Sequence, residues 1–319
     1  WLILYLFGAS PILNEQFVRG QKDDFRQYKG FFYAPYATSL RMSDIGYQNF
    51  NQPNFFVPLD SIDNYINAIK DATNKQYIDY EYISSNLGSL AQLNSNFLQI
   101  EDEYYSVIRP KSNEKSDLRT LKKLSNTGVE YIEFRSLDLD PFSPTGITLE
   151  TLNFVEIFLL YSAFLPSPNI DNDESLEIEN NDLKVARYGR KPLQVLTKNG
   201  KSISLQDWAH TILEGMDSLS LDLGNNEKYL SSYKEIIKNN QGTLSELFLE
   251  KVLSSQLDYQ EIGIALSEQN QKSFIERNTE KNKNYKILEN EVDRSLLQQK
   301  NLELDDTKSF DTFLNDYFC

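Results

Sequence analysis

The segment of residues 128–146 constrains the fold more than any other part of the sequence, because a strand-forming run ends there in a proline-rich loop. Residues 129–137 combine β-branched and aromatic side chains after a glycine, which predicts a β-strand. Strand side chains alternate between two faces, so Glu133 and Arg135 are expected on one face together with Tyr131. The prolines that follow lack the N–H that a sheet ladder requires, and the strand must therefore end in a stiff loop.

The pair Glu133 and Arg135 has two interpretations. A carboxylate and a guanidinium two residues apart on a strand lie about 7 Å apart and can hold two parts of one polar ligand, such as a metal ion and a phosphate oxygen. The same pair also fits a cross-strand ion pair on a solvated face. On the strand alone the simpler reading is favoured, because most short patterns carry no function.

The composition narrows the class of protein. A chain of 319 residues with 40% hydrophobic and 13% aromatic residues can bury a core in one large domain or two ordinary ones. A net charge of −15 argues against a nucleic acid or an anionic membrane as partner, although a local cationic pocket remains compatible with it. The single cysteine, Cys319, offers no disulfide framework, which suits a reducing cytosol. The apolar residues 1–7 are too few to span a bilayer and lack the features of a secretory signal.

Apolar spacing predicts most of the helices. Residues 62–69 have helical periodicity, with Ser61 or Asp60 as the cap, and residues 148–165 form the most hydrophobic helix, with Thr148 as its N-cap. The second half of this helix is apolar nearly all round, so we expect it to be buried. From residue 205 onward the chain is expected to be mostly helical, with candidate helices at residues 205–222, 227–239, 243–256 and 259–299.

Three further stretches are predicted to lack helices. Residues 90–109 alternate in the manner of one or two strands. Residues 110–127 are charged and polar, which predicts a mobile connection. The acidic residues 171–182 are predicted to form a solvated surface loop rather than a metal site.

Several familiar kinds of catalytic site do not fit this chain. His210 is the single histidine, which argues against a histidine-based triad or a histidine-rich metal site. There is no cysteine pair for zinc and no glycine-rich phosphate loop of the Walker or dinucleotide type. Any nucleotide site must therefore use scattered basic residues and metal-bridged carboxylates.

Several blocks of the sequence, taken in order, resemble the glutamate–cysteine ligases of the gamma-proteobacterial type. The blocks are YLFGASP at 5–11, YATSLRMSD at 36–44, GY at 46–47, NSN at 94–96, LQIE at 98–101, IRPK at 108–111, IEFRSLD at 132–138, DPFSP at 140–144 and, more weakly, GRKP at 189–192. The strong blocks span residues 1–146, and beyond about residue 195 the resemblance is only in helical character and length. Because the chain starts at Trp1 in what reads as the middle of an element, the resemblance implies the C-terminal portion of a longer enzyme.

The resemblance implies an activity and a fold. The activity is ATP-dependent ligation of the γ-carboxyl of L-glutamate to the amine of L-cysteine through γ-glutamyl phosphate, the first step of glutathione synthesis, with Mg²⁺ or Mn²⁺ as cofactor. The fold is α+β, with an antiparallel sheet of the glutamine-synthetase type flanked by helices. Residues 1–195 would complete the catalytic domain and residues 196–319 would form a helical region packed on it. A cytoplasmic monomer is expected, and this chain alone is expected to be inactive.

Seven positions are assigned by this resemblance. Arg135 and Arg41 are the catalytic candidates, Glu133 the metal ligand, Tyr47 and Tyr105 the cysteine-binding pocket, and Arg109 and Lys111 the groups that neutralise ATP phosphates. Each has a structural alternative: the tyrosines suit a core, Arg41 suits capping of carbonyls, and the other two cations suit a surface.

Two departures and two alternative functions stay open. Asp102 stands where the family pattern has asparagine, and Tyr104 where an aliphatic residue is usual, so Asp102 adds a negative charge near the expected site. Arg190 and Lys191 carry the phosphate-binding hypothesis with less support. The alternative functions are another ATP-dependent carboxylate–amine ligase on the same scaffold, and an inactive module.

Overall fold

A computed structural model gives the architecture of residues 1–18, 24–46, 55–87, 92–116, 118–224, 230–277 and 284–318. Helices dominate and short antiparallel strands accompany them, so the fold is α+β. The helices are α1 Leu2–Phe7, α2 Ile62–Asn74, α3 Ile78–Leu87, α4 Thr120–Thr127, α5 Leu149–Phe164, α6 Asn172–Tyr188, α7 Leu205–Asp222, α8 Ser231–Asn239, α9 Leu244–Ser254, α10 Tyr259–Glu276, α11 Tyr285–Asp305 and α12 Phe310–Phe318. The strands are β1 Ile12–Leu13, β2 Arg26–Tyr28, β3 Phe31–Tyr33, β4 Ile108–Lys111, β5 Tyr131–Phe134, β6 Val195–Lys198 and β7 Lys201–Ser204.

The main hydrophobic core surrounds α1. All six side chains of α1 are buried, as expected for a helix that is apolar all round. Phe7 makes edge contacts with Phe154 of α5 and Tyr233 of α8, at ring-centroid distances of 5.0 and 5.5 Å. Leu213 of α7 and Val185 of α6 join the same cluster. One core therefore contains residues from both sides of residue 195, and the division of the chain there stays a prediction.

The strands form small antiparallel sheets in the order β1-β3-β2, β4-β5 and β6-β7. The single sheet implied by the resemblance is thus represented, among the described residues, by three separate ones. The predicted strand at residues 129–137 is confirmed in its centre, since β5 covers Tyr131–Phe134. The hairpin β6-β7 turns at Asn199 and Gly200, whose φ values of 52° and 71° are those of a two-residue turn of type I′.

Helix α5 begins where the sequence predicts, but it is less buried than predicted. The backbone N–H of Thr151 donates to Oγ1 of Thr148, which confirms the N-cap. Within α5 the buried side chains are Phe154 and Ile157, whereas Leu149 and Phe164 are 69% and 71% exposed. An all-apolar helix indicates only that some face is buried, and here one narrow face packs on the core.

Three predictions of irregular or extended backbone were wrong. The acidic residues 171–182 lie in the cap and body of α6, where Asp171 accepts a hydrogen bond from the N–H of Glu174. Acidic residues favour the first turn of a helix, and Asn181 on the buried face bonds both backbone groups of Thr197. Residues 110–127 contain the end of β4 and the whole of α4, rather than a continuous loop.

The prediction of strands over residues 90–109 is confirmed only at its end, where Ile108 and Arg109 begin β4, whereas residues 92–107 form an irregular loop with the 3₁₀ helix Glu101–Glu103. Their apolar side chains Leu98 and Tyr104 pack with Ile69 of α2 and Leu124 of α4 in a second core cluster. The alternation therefore reflects a folded loop with a buried side. Tyr104, a member of this cluster, accepts a hydrogen bond at its carbonyl from Arg109 of β4.

The C-terminal part is helical, as predicted. Helices α7, α8 and α9 match three of the four predicted segments closely, and the fourth is divided into α10 and α11. Helix α11 buries no side chain. Among the residues that the structure describes, no helix is both long enough and apolar enough to span a bilayer.

Candidate active site

The antiparallel pair β4-β5 brings together three of the predicted site residues, namely Arg109, Lys111 and Glu133. Its register places Arg109 opposite Glu133 and Lys111 opposite Tyr131. Directly paired residues share a face of the sheet, and so do residues two apart along a strand. The register therefore explains why Lys111 and Arg135 can both reach Glu133.

Glu133 lies between two cations. Its Oε1 accepts a hydrogen bond from Nε of Arg135 at 2.9 Å, and its Oε2 lies 3.4 Å from Nζ of Lys111. Burial works to raise the pKa of Glu133, but the bond to Arg135 and the charges of Arg135 and Lys111 outweigh it and lower the pKa below its ordinary value. The carboxylate is 38% exposed, so it is ionised at neutral pH and open to a ligand.

Arg135 lies over an aromatic ring, and its terminal guanidinium nitrogens are not engaged by the described residues. Its guanidinium carbon lies 5.5 Å from the ring centroid of Tyr105, in the range of a cation–π contact. Only Nε is engaged with Glu133, and the terminal nitrogens donate to none of the described residues. The side chain is 18% exposed. A guanidinium held by a ring and a carboxylate, with its outer edge unused, suits a phosphate or carboxylate ligand.

Arg41, the other predicted catalytic residue, is committed to the fold. Its guanidinium donates four hydrogen bonds, to Oδ1 of Asp138 at 2.6 Å, to the hydroxyl of Tyr105 at 3.1 Å, and to the carbonyls of Arg135 and Leu137 at 2.9 and 3.0 Å. Burial works to lower the pKa of Arg41, but the hydrogen bond to Asp138 and its charge raise it. This geometry matches the alternative of an arginine that caps carbonyls, and it makes Arg41 the residue that fixes the end of β5.

Tyr105 connects Arg41 with Arg135. Its hydroxyl accepts from Nη1 of Arg41 and lies 3.5 Å from the sulfur of Met42, while its ring supports Arg135. The tyrosine is therefore at the site, as predicted, and its role in binding cysteine stays a prediction. Tyr47, its predicted partner, lies outside the described residues.

Arg109 is placed differently from the prediction of a phosphate-binding cation. Its side chain is 4% exposed, and Nη1 lies 2.6 Å from Oδ1 of Asp102. Nη2 donates to the carbonyls of Asp102 and Tyr104. The charge of Arg109 is thus matched by the residue that departs from the family pattern, and both hold the 3₁₀ helix against β4. The direct contact with a nucleotide predicted for Arg109 would require breaking this pair.

Two carboxylates missed in the sequence analysis fix the loops around the site. Asp138 is 5% exposed and accepts a hydrogen bond from the N–H of Ala9 at 2.7 Å in addition to that from Arg41. Asp44 pairs with Arg187 through two bonds of 2.6 and 2.9 Å. The signal was present, because Asp138 and Asp44 both fall inside blocks that carry the family resemblance, but spacing along the chain does not reveal these partners.

A metal site is only partly supplied by these residues. Among the described residues, no group of three or more histidine, cysteine, aspartate or glutamate side chains is placed to hold a metal ion. Glu133 offers a hard carboxylate oxygen of the kind that Mg²⁺ prefers, yet it stands alone between two cations. The predicted role of Glu133 as a metal ligand therefore stays a prediction.

Sequence comparison identifies relatives along the whole chain. A sequence model of the glutamate–cysteine ligase family matches residues 1–185. The glutamate–cysteine ligase of Shewanella oneidensis is 37% identical over 100% of this chain and 62% of its own length. That of Pseudomonas putida is 35% identical over 99% of this chain and 62% of its own length. The chain thus spans less than two thirds of these relatives, and its placement in their C-terminal portion stays a prediction.

Solved structures agree with the sequence relatives. The glutamate–cysteine ligase of Francisella tularensis, solved in complex with AMP, superposes with a TM-score of 0.88 at 31% identity, over 100% of this chain and 64% of that one. A bifunctional glutathione synthetase from Pasteurella multocida gives a TM-score of 0.59 at 22% identity, over 86% of this chain and 30% of that one, and shows likeness of fold alone.

Proposed function

Since the chain belongs to the glutamate–cysteine ligase family, we propose that it carries part of the active site of an enzyme that joins the γ-carboxyl of L-glutamate to the amine of L-cysteine with ATP. The observation that carries the proposal is the face of β4-β5, where Glu133 lies between Lys111 and Arg135 and the ring of Tyr105 supports Arg135. Lys111 lies in one block of the family resemblance, Glu133 and Arg135 lie in another, and the two blocks meet at this face.

The chemistry requires charge stabilisation more than covalent help from the protein. A carboxylate is a poor acylating agent, and its phosphorylation to γ-glutamyl phosphate provides a leaving group that the amine of cysteine can displace. Phosphoryl transfer depends on positioning and on neutralising the charge of the moving group. We propose that the unused edge of Arg135 binds oxygens of that group, and that Lys111 adds a second positive charge beside it.

A solved relative supports the binding of a nucleotide. The structure of the Francisella tularensis enzyme holds AMP, which supports adenine-nucleotide binding by the same fold here. We assign the phosphate contact to Lys111, whose side chain is 24% exposed, rather than to Arg109, which is buried against Asp102. Arg109 then acts by holding β4 in place, so that its neighbours keep their positions.

Glu133 would supply one oxygen ligand to Mg²⁺ or Mn²⁺, and the bound ion would neutralise phosphate charge. The pair β4-β5 belongs to an antiparallel sheet of the glutamine-synthetase type. The net charge of −15 and the single cysteine support a cytoplasmic protein, and a monomer is the simplest state.

The test is a substrate-omission assay on a protein of the relatives' full length that carries this sequence. ADP release should require both glutamate and cysteine, and γ-glutamylcysteine should accumulate in equal amount. A panel of other amino acids as acceptors examines the alternative of a different ATP-dependent ligase, for which some other amine would exceed cysteine. Failure of ATP, glutamate and cysteine together to raise the melting temperature would favour a module without catalytic function.

A further inference from the structure

A cavity of about 700 Å³ lies away from the β4-β5 face. It is bounded by the loop that carries the GRKP block, by the start of α7 and by the end of α8. The charged side chains that line it are Arg190, Lys238 and Glu246. None of the residues of the proposed active site contributes to it, so the activity proposed above does not account for this cavity.

Arg190, one of the residues that line this cavity, is buried without an ion-pair partner. Its residue exposure is 8%, and its Nε and Nη2 donate to the carbonyls of Ala37 and Pro35, at 3.3 and 2.6 Å. Within the described parts of the chain, its Nη1 finds no acceptor and no carboxylate pairs with it. Arg109 and Arg187, each buried to a similar degree, both pair with a carboxylate at 2.6 Å.

A buried guanidinium without a counter-ion is unfavourable, because carbonyl dipoles do not cancel a full charge. Burial is also the main reason why the pKa of Arg190 is lowered, despite the opposing charges of Glu246 and Glu250. Glu246 acts on Arg190 through its charge but makes no direct ion pair with it among the described residues, and its Oε2 accepts a hydrogen bond from the N–H of Gly242. The geometry leaves a positive charge at the wall of a cavity large enough for a small molecule.

Part of the remaining lining is polar, and Asn240 in it is held by hydrogen bonds. The side chain of Asn240 accepts from the hydroxyl of Tyr5 at 2.7 Å and donates to the carbonyl of Arg190 at 3.1 Å. Lys238 lies on the rim, is 74% exposed and has a long contact of 4.0 Å between its Nζ and Oε1 of Glu235. The lining carries two cations and one carboxylate, in a chain of net charge −15.

We propose that this cavity is a binding site for a small anion, whose carboxylate or phosphate oxygens bind Nη1 of Arg190 while Lys238 adds attraction at the rim. The site lies outside the proposed catalytic machinery and takes a ligand as an effector would. Phosphate and carboxylate share the chemistry that Arg190 recognises, and separate titrations distinguish them.

The experiment titrates the 319-residue chain with inorganic phosphate and, separately, with acetate, at constant ionic strength, by isothermal titration calorimetry and by thermal shift. We expect one of the two anions to bind the unmodified chain and raise its melting temperature. Lys238→Glu should weaken that binding about tenfold, because it puts a repelling carboxylate on the rim. Arg190→Lys keeps the charge but loses the planar fork, and a similar loss is expected.

The control is Lys272→Glu, since Lys272 matches Lys238 in exposure, at 77%, and in its 3.9 Å contact with a glutamate of its own helix. It should bind the anion as tightly as the unmodified chain does. Circular dichroism shows whether Arg190→Lys folds. If this variant does not fold, Lys238→Glu still tests the proposal, because Lys238 is exposed. The proposal is overturned if neither anion binds, if Lys238→Glu and Lys272→Glu behave alike, or if binding is lost in Lys111→Gln instead.

Discussion

The hydrogen bonds of Arg41 predict that this residue contributes more to the stability of the fold than an ordinary surface arginine does. Its guanidinium is the partner of Asp138, whose side chain is 5% exposed and has one other donor, the N–H of Ala9. In Arg41→Gln the carboxylate stays buried without a cation. Breaking a buried ion pair by removing one partner costs about 3–5 kcal/mol. The side chain of Arg41 is 27% exposed, so water can reach the gap and a loss of about 3 kcal/mol is expected.

The assay is urea unfolding of the chain followed by circular dichroism, with the midpoint and the slope fitted for each variant. Asp138→Asn should also destabilise, and the double variant should lose less than the sum of the single losses by about 1.5–3 kcal/mol, because the residues lie in direct contact. The matched control is Arg294→Gln in α11, where an exposed arginine pairs with Glu291 and about 0–1 kcal/mol is expected.

Additive losses in the double variant would refute the reasoning, because they would mean that Arg41 and Asp138 do not act through each other. A loss below about 1 kcal/mol in Arg41→Gln would refute it too, since that is the range of solvated surface pairs. Either result would favour the catalytic role that the family resemblance assigns to Arg41 over its role in capping carbonyls.

Three further predictions follow from single contacts. Gly46→Ala should be strongly destabilising, because the added Cβ would lie 1.8 Å from the carbonyl oxygen of Arg41. In Gly263→Ala of α10 the added Cβ meets nothing within 4 Å, so this variant should be neutral or more stable by about 1 kcal/mol. The urea unfolding midpoints of the two variants test this difference. The pKa of Glu133 is lowered, so Glu133 stabilises the fold at pH values above its ordinary pKa of 4.5 and loses this effect as the pH falls through the lowered pKa. In Arg135→Gln, a carbon-detected NMR titration should show the pKa of Glu133 rising toward 4.5. An unchanged pKa would count against the ion pair of Glu133 and Arg135. Tyr105→Phe, in the full-length protein, should raise the KM for cysteine more than that for ATP, since the hydrogen bond proposed between the Tyr105 hydroxyl and the charged groups of cysteine would contribute about 1.5–3 kcal/mol. Equal changes in both constants would argue against the pocket.

The predictions that succeeded depend on local chemistry. Thr148 and Ser61 cap their helices because a hydroxyl accepts from a backbone N–H three residues on, which the sequence shows directly. Helix α7 matches the predicted residues 205–222 because its apolar residues repeat at helical spacing. The position of Glu133 and Arg135 on one face of β5 follows from strand geometry, and their 2.9 Å contact agrees with it.

The predictions that failed depend on partners far away in the chain. Residues 92–107 alternate as a strand would, but Leu98 is buried by α2 and α4, and this packing makes a folded loop. The site roles of Arg41 and Arg109 stay predictions, and their partners Asp138 and Asp102 are shown only by the structure, because spacing along the chain does not reveal them. The Asn199-Gly200 pair is a strong hairpin signal that the sequence analysis overlooked.

The measurement that tests the central claim most directly is the turnover of Arg135→Gln in a protein of the relatives' full length that carries this sequence. If Arg135 binds the moving phosphoryl group, kcat for γ-glutamylcysteine formation should fall about 10²–10³-fold while the circular dichroism spectrum is unchanged. Arg294→Gln removes an arginine that likewise pairs with a nearby glutamate, far along the chain in α11, and should leave kcat unchanged. A kcat for Arg135→Gln within a few-fold of that of Arg294→Gln would contradict the assignment of the β4-β5 face as the site of phosphoryl transfer.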